Sequence, residues 1–108
     1  MIKQADRDNY GKLRWDLVDF ESVEEMLRVL EQGAIKYAPD NWKKGLNRSE
    51  ILESAQRHLI ELFKHKENDE EFSTHHAGHI MCNMLFYLYH YRNQSFTEQR
   101  NNPFKKVN

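Results

Sequence analysis

One cysteine, two prolines and four glycines are all that 108 residues contain of the usual covalent and conformational staples. Cys82 alone cannot close an internal disulfide, so a disulfide scaffold is excluded, and without a Cys-x-x-Cys pair so is a zinc ribbon. The glycines are scattered, and no phosphate-cradling loop, dinucleotide fingerprint or nucleophile elbow is formed from them. Charge of one sign is also missing. Sixteen basic and seventeen acidic residues leave a net charge of −1, with no cationic excess to displace counterions from a nucleic-acid polymer. The longest uncharged apolar run, Met84-Leu85-Phe86-Tyr87-Leu88-Tyr89, is far short of the roughly 20 residues of a membrane span. The first residues, Met1-Ile2-Lys3-Gln4-Ala5-Asp6, lack the apolar stretch of a secretory signal. The expectation is a cytoplasmic protein with neither membrane nor nucleic-acid polymer as partner.

What is present is helical periodicity. The length is that of one domain, residues 1–108. Residues 1–19 are polar and mixed, and the alternation Lys12-Leu13-Arg14-Trp15-Asp16-Leu17 predicts an ordered N-terminal arm lying extended against a helical core. A first helix is expected over Phe20 to Tyr37, with Ser22 and Glu25 as a capping box. Its apolar face is Val23, Met26, Leu27, Leu30, Ala34 and Tyr37, and Pro39 stops it. Residues 38–48 form a loop. A second helix is expected over Ser49 to His65, capped by Asn47 or Ser49, with Ile51, Leu52, Ala55, Leu59, Leu62 and Phe63 as its apolar face. Lys66 to Glu71 reads as a charged connector. A third helix is expected from just after Ser73 or Thr74 to Tyr91 or Arg92, with a seam of Ala77, Met81, Met84, Leu85 and Leu88. Residues 20–92 are the helical core, and residues 93–108 a polar tail, frayed or strapped onto a partner. The fold class is all-α: three main helices with apolar surface on more than one side, packing into an oligomeric helical bundle, a homodimer or homotetramer.

The third helix carries the informative pattern. At about 100° per residue, His76, His79, Asn83 and His90 fall within about 40° of one line opposite Met81. The rest of that helix is largely apolar, so the stripe is expected to be buried, and buried polar groups need partners. The second helix aligns His58, Glu61 and His65 along the edge of its apolar face; the first offers Glu24 and Glu31; the connector adds Asp69, Glu70 and Glu71. Packing could bring imidazoles and carboxylates together as a divalent-metal site requires. Taken singly, each has a plainer reading: histidines as hydrogen-bonding core residues, Glu24 and Glu31 solvated or paired with Arg28, the acidic connector as favourable charge at a helix N-terminus. Cys82 reads as a buried, inert thiol.

Lys12-Leu13-Arg14-Trp15-Asp16-Leu17, Gly33-Ala34-Ile35-Lys36-Tyr37-Ala38-Pro39-Asp40-Asn41-Trp42, Arg57-His58-Leu59, Asp69-x-Glu71 and His76-x-x-His79-x-x-x-Asn83 together resemble the MazZ-type dATP/dGTP diphosphohydrolases of phages and bacteria. These are MazG-like members of the all-α nucleotide pyrophosphohydrolases. The resemblance implies metal-dependent cleavage of a purine deoxynucleoside triphosphate to the monophosphate and pyrophosphate. It implies metal ligands among His58, Glu61, Asp69, Glu71, His76 and His79. Where the wider superfamily has Glu-x-x-Glu and Glu-x-x-Asp, this chain reads His58-Leu59-Ile60-Glu61 and His76-Ala77-Gly78-His79. That change favours Mn²⁺ or another borderline metal beside Mg²⁺. Glu61 or Glu71 would orient water or act as base. Lys36, Lys12 and Arg14 would meet phosphates, Tyr37 or Trp42 would stack on a base, Asn41 would read its edge, and Asn83 would complete the substrate contacts. The alternative is a non-catalytic, phage-type helical dimer that binds a nucleotide or a host protein.

Overall fold

The computed structural model describes residues 1–100; residues 101–108, which include Pro103, lie outside the described part. Three helices dominate: α1 (Phe20–Lys36), α2 (Arg48–Phe63) and α3 (His76–Asn93). Short 3₁₀ turns occupy Trp15–Leu17 and Asn41–Lys43. Two strands too short to be read from periodicity, β1 (Leu46–Asn47) and β2 (Phe96–Thr97), pair in parallel, Leu46 opposite Phe96 and Asn47 opposite Thr97. No helix among the described residues is long and apolar enough to cross a membrane.

The helices start and stop for local reasons. Asp19 is the N-cap of α1, not Ser22; the Ser22 hydroxyl, inside the first turn, donates to Asp19 Oδ2 (2.5 Å). The expected capping box does not form, because the helix starts three residues earlier and leaves Ser22 and Glu25 inside it. Asn47 caps α2, its Oδ1 accepting from the Glu50 N–H (3.1 Å). The same side chain donates to the carbonyls of Thr97 and Glu98, so one asparagine ties the start of α2 to the segment after α3. The start of the expected tail, residues 95–97, therefore folds back onto its own chain through β2, and is neither frayed nor strapped onto a partner.

α3 lies between the other two, touching both. Its interior is the reverse of a hydrophobic seam. Buried polar residues (Thr74, His76, Asn83, His90) outnumber buried hydrophobic ones (Ile51, Cys82) among the described residues. The expected seam is covered only in part: Ala77, Met81 and Leu85 are half-buried, while Met84 and Leu88 are exposed, and Tyr91 beyond them is 66% exposed. The arm is likewise exposed at every residue from 1 to 19, with Leu13, Trp15 and Leu17 outward, so it does not pack on the core as anticipated. The radius of gyration, 18.3 Å, is well above the roughly 13 Å of a compact domain this long.

Gly78 is what lets α3 approach α1. A Cβ there would sit 2.6 Å from the Glu25 carbonyl oxygen and 2.9 Å from its carbonyl carbon. One turn on, the Cys82 thiol donates to the Met26 carbonyl (3.2 Å), and burial pushes its pKa up to about 12, so it is inert as expected. Gly78→Ala must push two backbones apart and is expected to destabilise the protein by about 1–3 kcal/mol. Gly33→Ala, where nothing lies within 4 Å, is the control. It is expected to stabilise by up to about 1 kcal/mol through helix propensity. Urea denaturation midpoints of the two variants measure the contrast.

Candidate functional site

The site is built where α2 faces the first turns of α3. Inward-facing His58 on α2 meets His76 and His79 on α3: Nδ1 of His58 is 2.8 Å from Nδ1 of His76, and the His58 and His79 rings stack at 4.2 Å and 7°. His79 Nε2 is 2.7 Å from the hydroxyl of Thr74, itself 4% exposed.

The connector supplies the carboxylate, and its ordering is what makes that possible. It is not a loose charged link. Asn68 bridges antiparallel to His75, the Asp69 N–H donates to the Thr74 carbonyl (2.7 Å), and the His76 N–H donates to the Glu67 carbonyl (2.8 Å). Ser73 closes the turn in the left-handed region (φ 58°), donating to the Asp69 carbonyl (2.9 Å). Asp69 Oδ1 accepts from the N–H groups of Glu71 (2.9 Å) and Phe72 (3.2 Å), which fixes the side chain toward α3. One donor atom each from His58, Asp69 and His79 then lies within 4.8 Å of the others.

Glu61, half-buried, lines a cleft of about 310 Å³ with Arg57, His58, Ile60, Asp69 and His76. A neighbouring cleft is lined by Glu61, Glu71, Asp69 and His76, with Lys66 at its side. Glu61 pairs loosely with Lys64 (3.6 Å) and Lys66 (3.9 Å). All six residues expected as ligands are thus in one neighbourhood. Glu24 and Glu31 are not: both are exposed, and Glu24 pairs with Arg28 (3.7 Å). His65 is exposed beyond the end of α2.

The polar stripe divides. Asn83 donates to Ser54 Oγ (3.2 Å) and to the His79 carbonyl (3.0 Å), and it lines a separate groove with Ile51, Phe86 and residues 97–100. His90, fully buried, is bound through both nitrogens. Nε2 donates to the Trp42 carbonyl (2.8 Å), so Nδ1 accepts from Ser95 Oγ (2.6 Å). It is a clasp between the 38–48 loop and the segment after α3, not a ligand.

Three of the loop-side candidates share a cavity of about 410 Å³. Tyr37, Asn41 and Trp42 line it with Leu30, Ala34 and Phe86. Trp42 also stacks on Phe86 (5.0 Å) and meets Tyr89 edge-on (5.0 Å), so it serves packing as well as the cavity wall. The Lys36 ammonium lies over the rings of Tyr37 (5.4 Å), which lines the cavity, and of Phe72 (5.8 Å) in the connector segment. Lys12 and Arg14 stand on the exposed arm, Arg14 paired with Asp16 (2.6 Å). Thr74, His75 and Gly78 were not singled out by sequence reasoning. His75 could have been, since an Nδ1 accepting from the Ala77 N–H (2.9 Å) caps α3.

A family model described as dATP/dGTP diphosphohydrolase, N-terminal, matches residues 3–100. A dATP/dGTP diphosphohydrolase of Salmonella phage PMBT28 is 34% identical over 90 residues, covering 83% of this chain and 31% of that protein. The chain thus spans about a third of the length of the curated relative it matches. No solved structure matches.

Burial, reinforced by the neighbouring His79 and His76, pushes His58 down from 6.5 to about 4. Burial also lowers His79, against the pull of Asp69. Burial tends to raise Asp69, but the N–H groups of Glu71 and Phe72 and the facing imidazoles outweigh it and hold the carboxyl below its ordinary value. At neutral pH the site therefore offers two neutral imidazoles and a carboxylate. Between pH 6.5 and about 4 the unfolded chain binds a proton at His58 that the folded chain refuses, so stability is expected to fall as pH drops through that window. Melting temperature against pH checks this: His58→Gln should flatten the fall, and an unchanged slope would contradict it.

Proposed function

This chain belongs to the dATP/dGTP diphosphohydrolase family, and from that premise we propose that it hydrolyses a purine deoxynucleoside triphosphate between the α- and β-phosphates. Water forms a bond to the α-phosphorus, the bond to the bridging oxygen breaks, and the products are the monophosphate and pyrophosphate.

The observation that carries the reading is the gathering of His58, Asp69 and His79 within 4.8 Å, beside two clefts lined by further acidic residues. That donor set fits a divalent cation, Mg²⁺ or Mn²⁺, with Glu61, Glu71 and His76 close by. When bound, such a cation neutralises phosphate charge and acidifies an attacking water. The chain's own groups do the rest. Glu61 takes the proton of the attacking water, and Glu71, in the adjoining cleft, orients it. Lys36, between the cavity wall and the connector, meets the phosphates on their way from the base to the cluster. The base enters the cavity, stacking on Tyr37 or Trp42, with Asn41 at its edge. Asn83 holds the turn of α3 that carries His79, a positioning role.

The working molecule we propose is a homodimer or homotetramer in the cytoplasm of a phage-infected cell. Exposed Met84, Leu88 and Tyr91 on α3 and an arm exposed along its whole length support an assembly in which a second copy covers both. Lys12 and Arg14 would serve a site in that assembly.

Pyrophosphate release from a panel of dNTPs, with Mg²⁺ or Mn²⁺, tests the reading. Release is expected with dATP or dGTP. Asp69→Asn, His79→Ala and Glu61→Gln are expected to lower kcat by about a hundredfold or more. Lys36→Ala is expected to raise KM about tenfold, the worth of one charge-assisted contact. No release with any nucleotide and metal would leave the non-catalytic helical dimer as the better account.

A further inference from the structure

We propose that His90 and Ser95 are positioning residues for the cavity lined by Trp42. They hold the wall formed by Asn41 and Trp42 in place before a nucleobase arrives, and so govern affinity for the base but not the chemistry at the phosphates. This rests on the preceding reading that the base enters that cavity.

The walls of the cavity differ in how they are held. Leu30, Gly33 and Ala34 belong to α1 and Phe86 to α3, so regular helix fixes them. Asn41 and Trp42 stand on a three-residue 3₁₀ turn, closed by local bonds from the Asn41 N–H to the Ala38 carbonyl (3.1 Å) and from the Lys44 N–H to the Asn41 carbonyl (3.2 Å). So short a turn has little stability of its own, and its place is set by what grips it.

α3 grips Trp42 at two points one turn apart. Phe86 stacks on the indole (5.0 Å, 27°), and four residues on, His90 Nε2 donates to the Trp42 carbonyl (2.8 Å). Tyr89 meets both rings edge-on, the indole at 5.0 Å and the imidazole at 5.1 Å. A carbonyl can only accept, so in the neutral imidazole the hydrogen is on Nε2 and Nδ1 must accept. Ser95 Oγ, 2.6 Å from Nδ1, supplies that donor and selects the tautomer. Ser95 is in turn placed by His90. Gln94 turns the chain in the left-handed region (φ 50°), and the Ser95 N–H donates to the His90 carbonyl (3.0 Å). Beyond it, Phe96 pairs with Leu46, another residue of the cavity wall. The loop is thus fastened on both sides of Gly45, where a Cβ would lie 2.5 Å from Thr97 Cγ2.

His90 is fully buried and lies three turns beyond His79, about 16 Å along the helix. It therefore stands apart from the His58, Asp69 and His79 cluster. A wall ordered in advance spares binding the entropy of ordering it, and loss of the clasp is felt at the base end of the substrate.

The test uses the full chain with Trp15→Phe, so that fluorescence reports Trp42 alone; Trp15 stands on the exposed arm. The probes are dAMP and dGMP, which carry the base without the scissile anhydride, and pyrophosphate with Mn²⁺, which carries no base. At least one monophosphate is expected to change Trp42 emission. Ser95→Ala is expected to weaken its binding about threefold and His90→Leu about tenfold, the worth of one buried hydrogen bond. His90→Gln, whose amide can still donate to the Trp42 carbonyl, should recover most of the loss. Pyrophosphate affinity, followed by calorimetry, should be the same in the parent and all three variants. In turnover, KM for dATP or dGTP should rise by the same factors while kcat stays within about twofold of the parent. Mere destabilisation would instead lower the number of binding sites and kcat together, leaving affinity and KM unchanged.

Should His90→Leu fail to fold, the affinity of Ser95→Ala decides. Trp42 emission that answers to neither monophosphate would overturn the proposal. So would a monophosphate affinity untouched by the substitutions, a loss that His90→Gln does not repair, or an equal loss for pyrophosphate. The two readings fail separately. Weakened monophosphate binding in a chain that hydrolyses no dNTP removes the enzyme and keeps the positioning role. Hydrolysis with an unchanged KM in Ser95→Ala and His90→Leu removes the positioning role and keeps the enzyme.

Discussion

A buried imidazole must have its ring nitrogens met, and α3 turns its histidines inward. That one requirement arranges much of the chain. His90 draws the Trp42 carbonyl and the Ser95 hydroxyl to itself, which brings the 38–48 loop and the segment leading to β2 against the last turns of α3. His76 draws His58 across from α2, and His79 draws Thr74 from the connector. Among the described residues no buried side-chain nitrogen or oxygen is left without a partner. Satisfaction of polar groups, more than exclusion of water from hydrocarbon, decides the shape of this interior, since only Ile51 and Cys82 are buried hydrophobic residues among those described.

Close helix approach is the second condition, and it is met by small residues. Gly78 and Cys82, one turn apart on α3, rest directly on the backbone of α1 at Glu25 and Met26. The same stretch of α3 carries His76 and His79 on another side. The distance of α3 from α1 and the direction of its imidazoles toward α2 are therefore set by one rigid helix. A larger residue at position 78 would disturb the site by moving the helix that bears it, without touching any of its side chains.

How much of this could be read in advance follows from what periodicity encodes. The three helices and their ends to within a few residues were legible, since Asn47 and Pro39 punctuate a 3.6-residue pattern. The gathering of His58, Asp69, His76 and His79 was legible in outline, because angle along a helix survives folding. That the polar stripe of α3 would be interior was legible too, and His76, Asn83 and His90 are buried; that part of the apolar seam would be outside was not. Apolar residues at helical spacing predict a core, yet Met84 and Leu88 are outside, and periodicity cannot tell a seam buried in its own chain from one covered by another molecule. The order in residues 67–75 was equally illegible. It rests on backbone hydrogen bonds and a left-handed Ser73, neither of which leaves a pattern in residue type. β1 and β2, two residues each, are below the length at which alternation has meaning.

A polar interior with an apolar exterior has a consequence for how the site works. An imidazole cluster packed among hydrocarbon would be rigid but sealed, and one in open water would hold neither its tautomers nor its lowered pKa values. Here His58 and His79 are half-buried, backed by Thr74 and His76, and open on the side of Glu61. The backing sets ring orientation; the opening admits a charged ligand. The missing hydrophobic stabilisation must then come from elsewhere in the molecule, and the uncovered surface of α3, with Leu13, Trp15 and Leu17 on the arm, is where it is available. Burying that surface against a second copy, as proposed, would add hydrophobic stability. The division of labour in the proposed assembly would be physical: hydrocarbon burial between copies, and polar interiors within each.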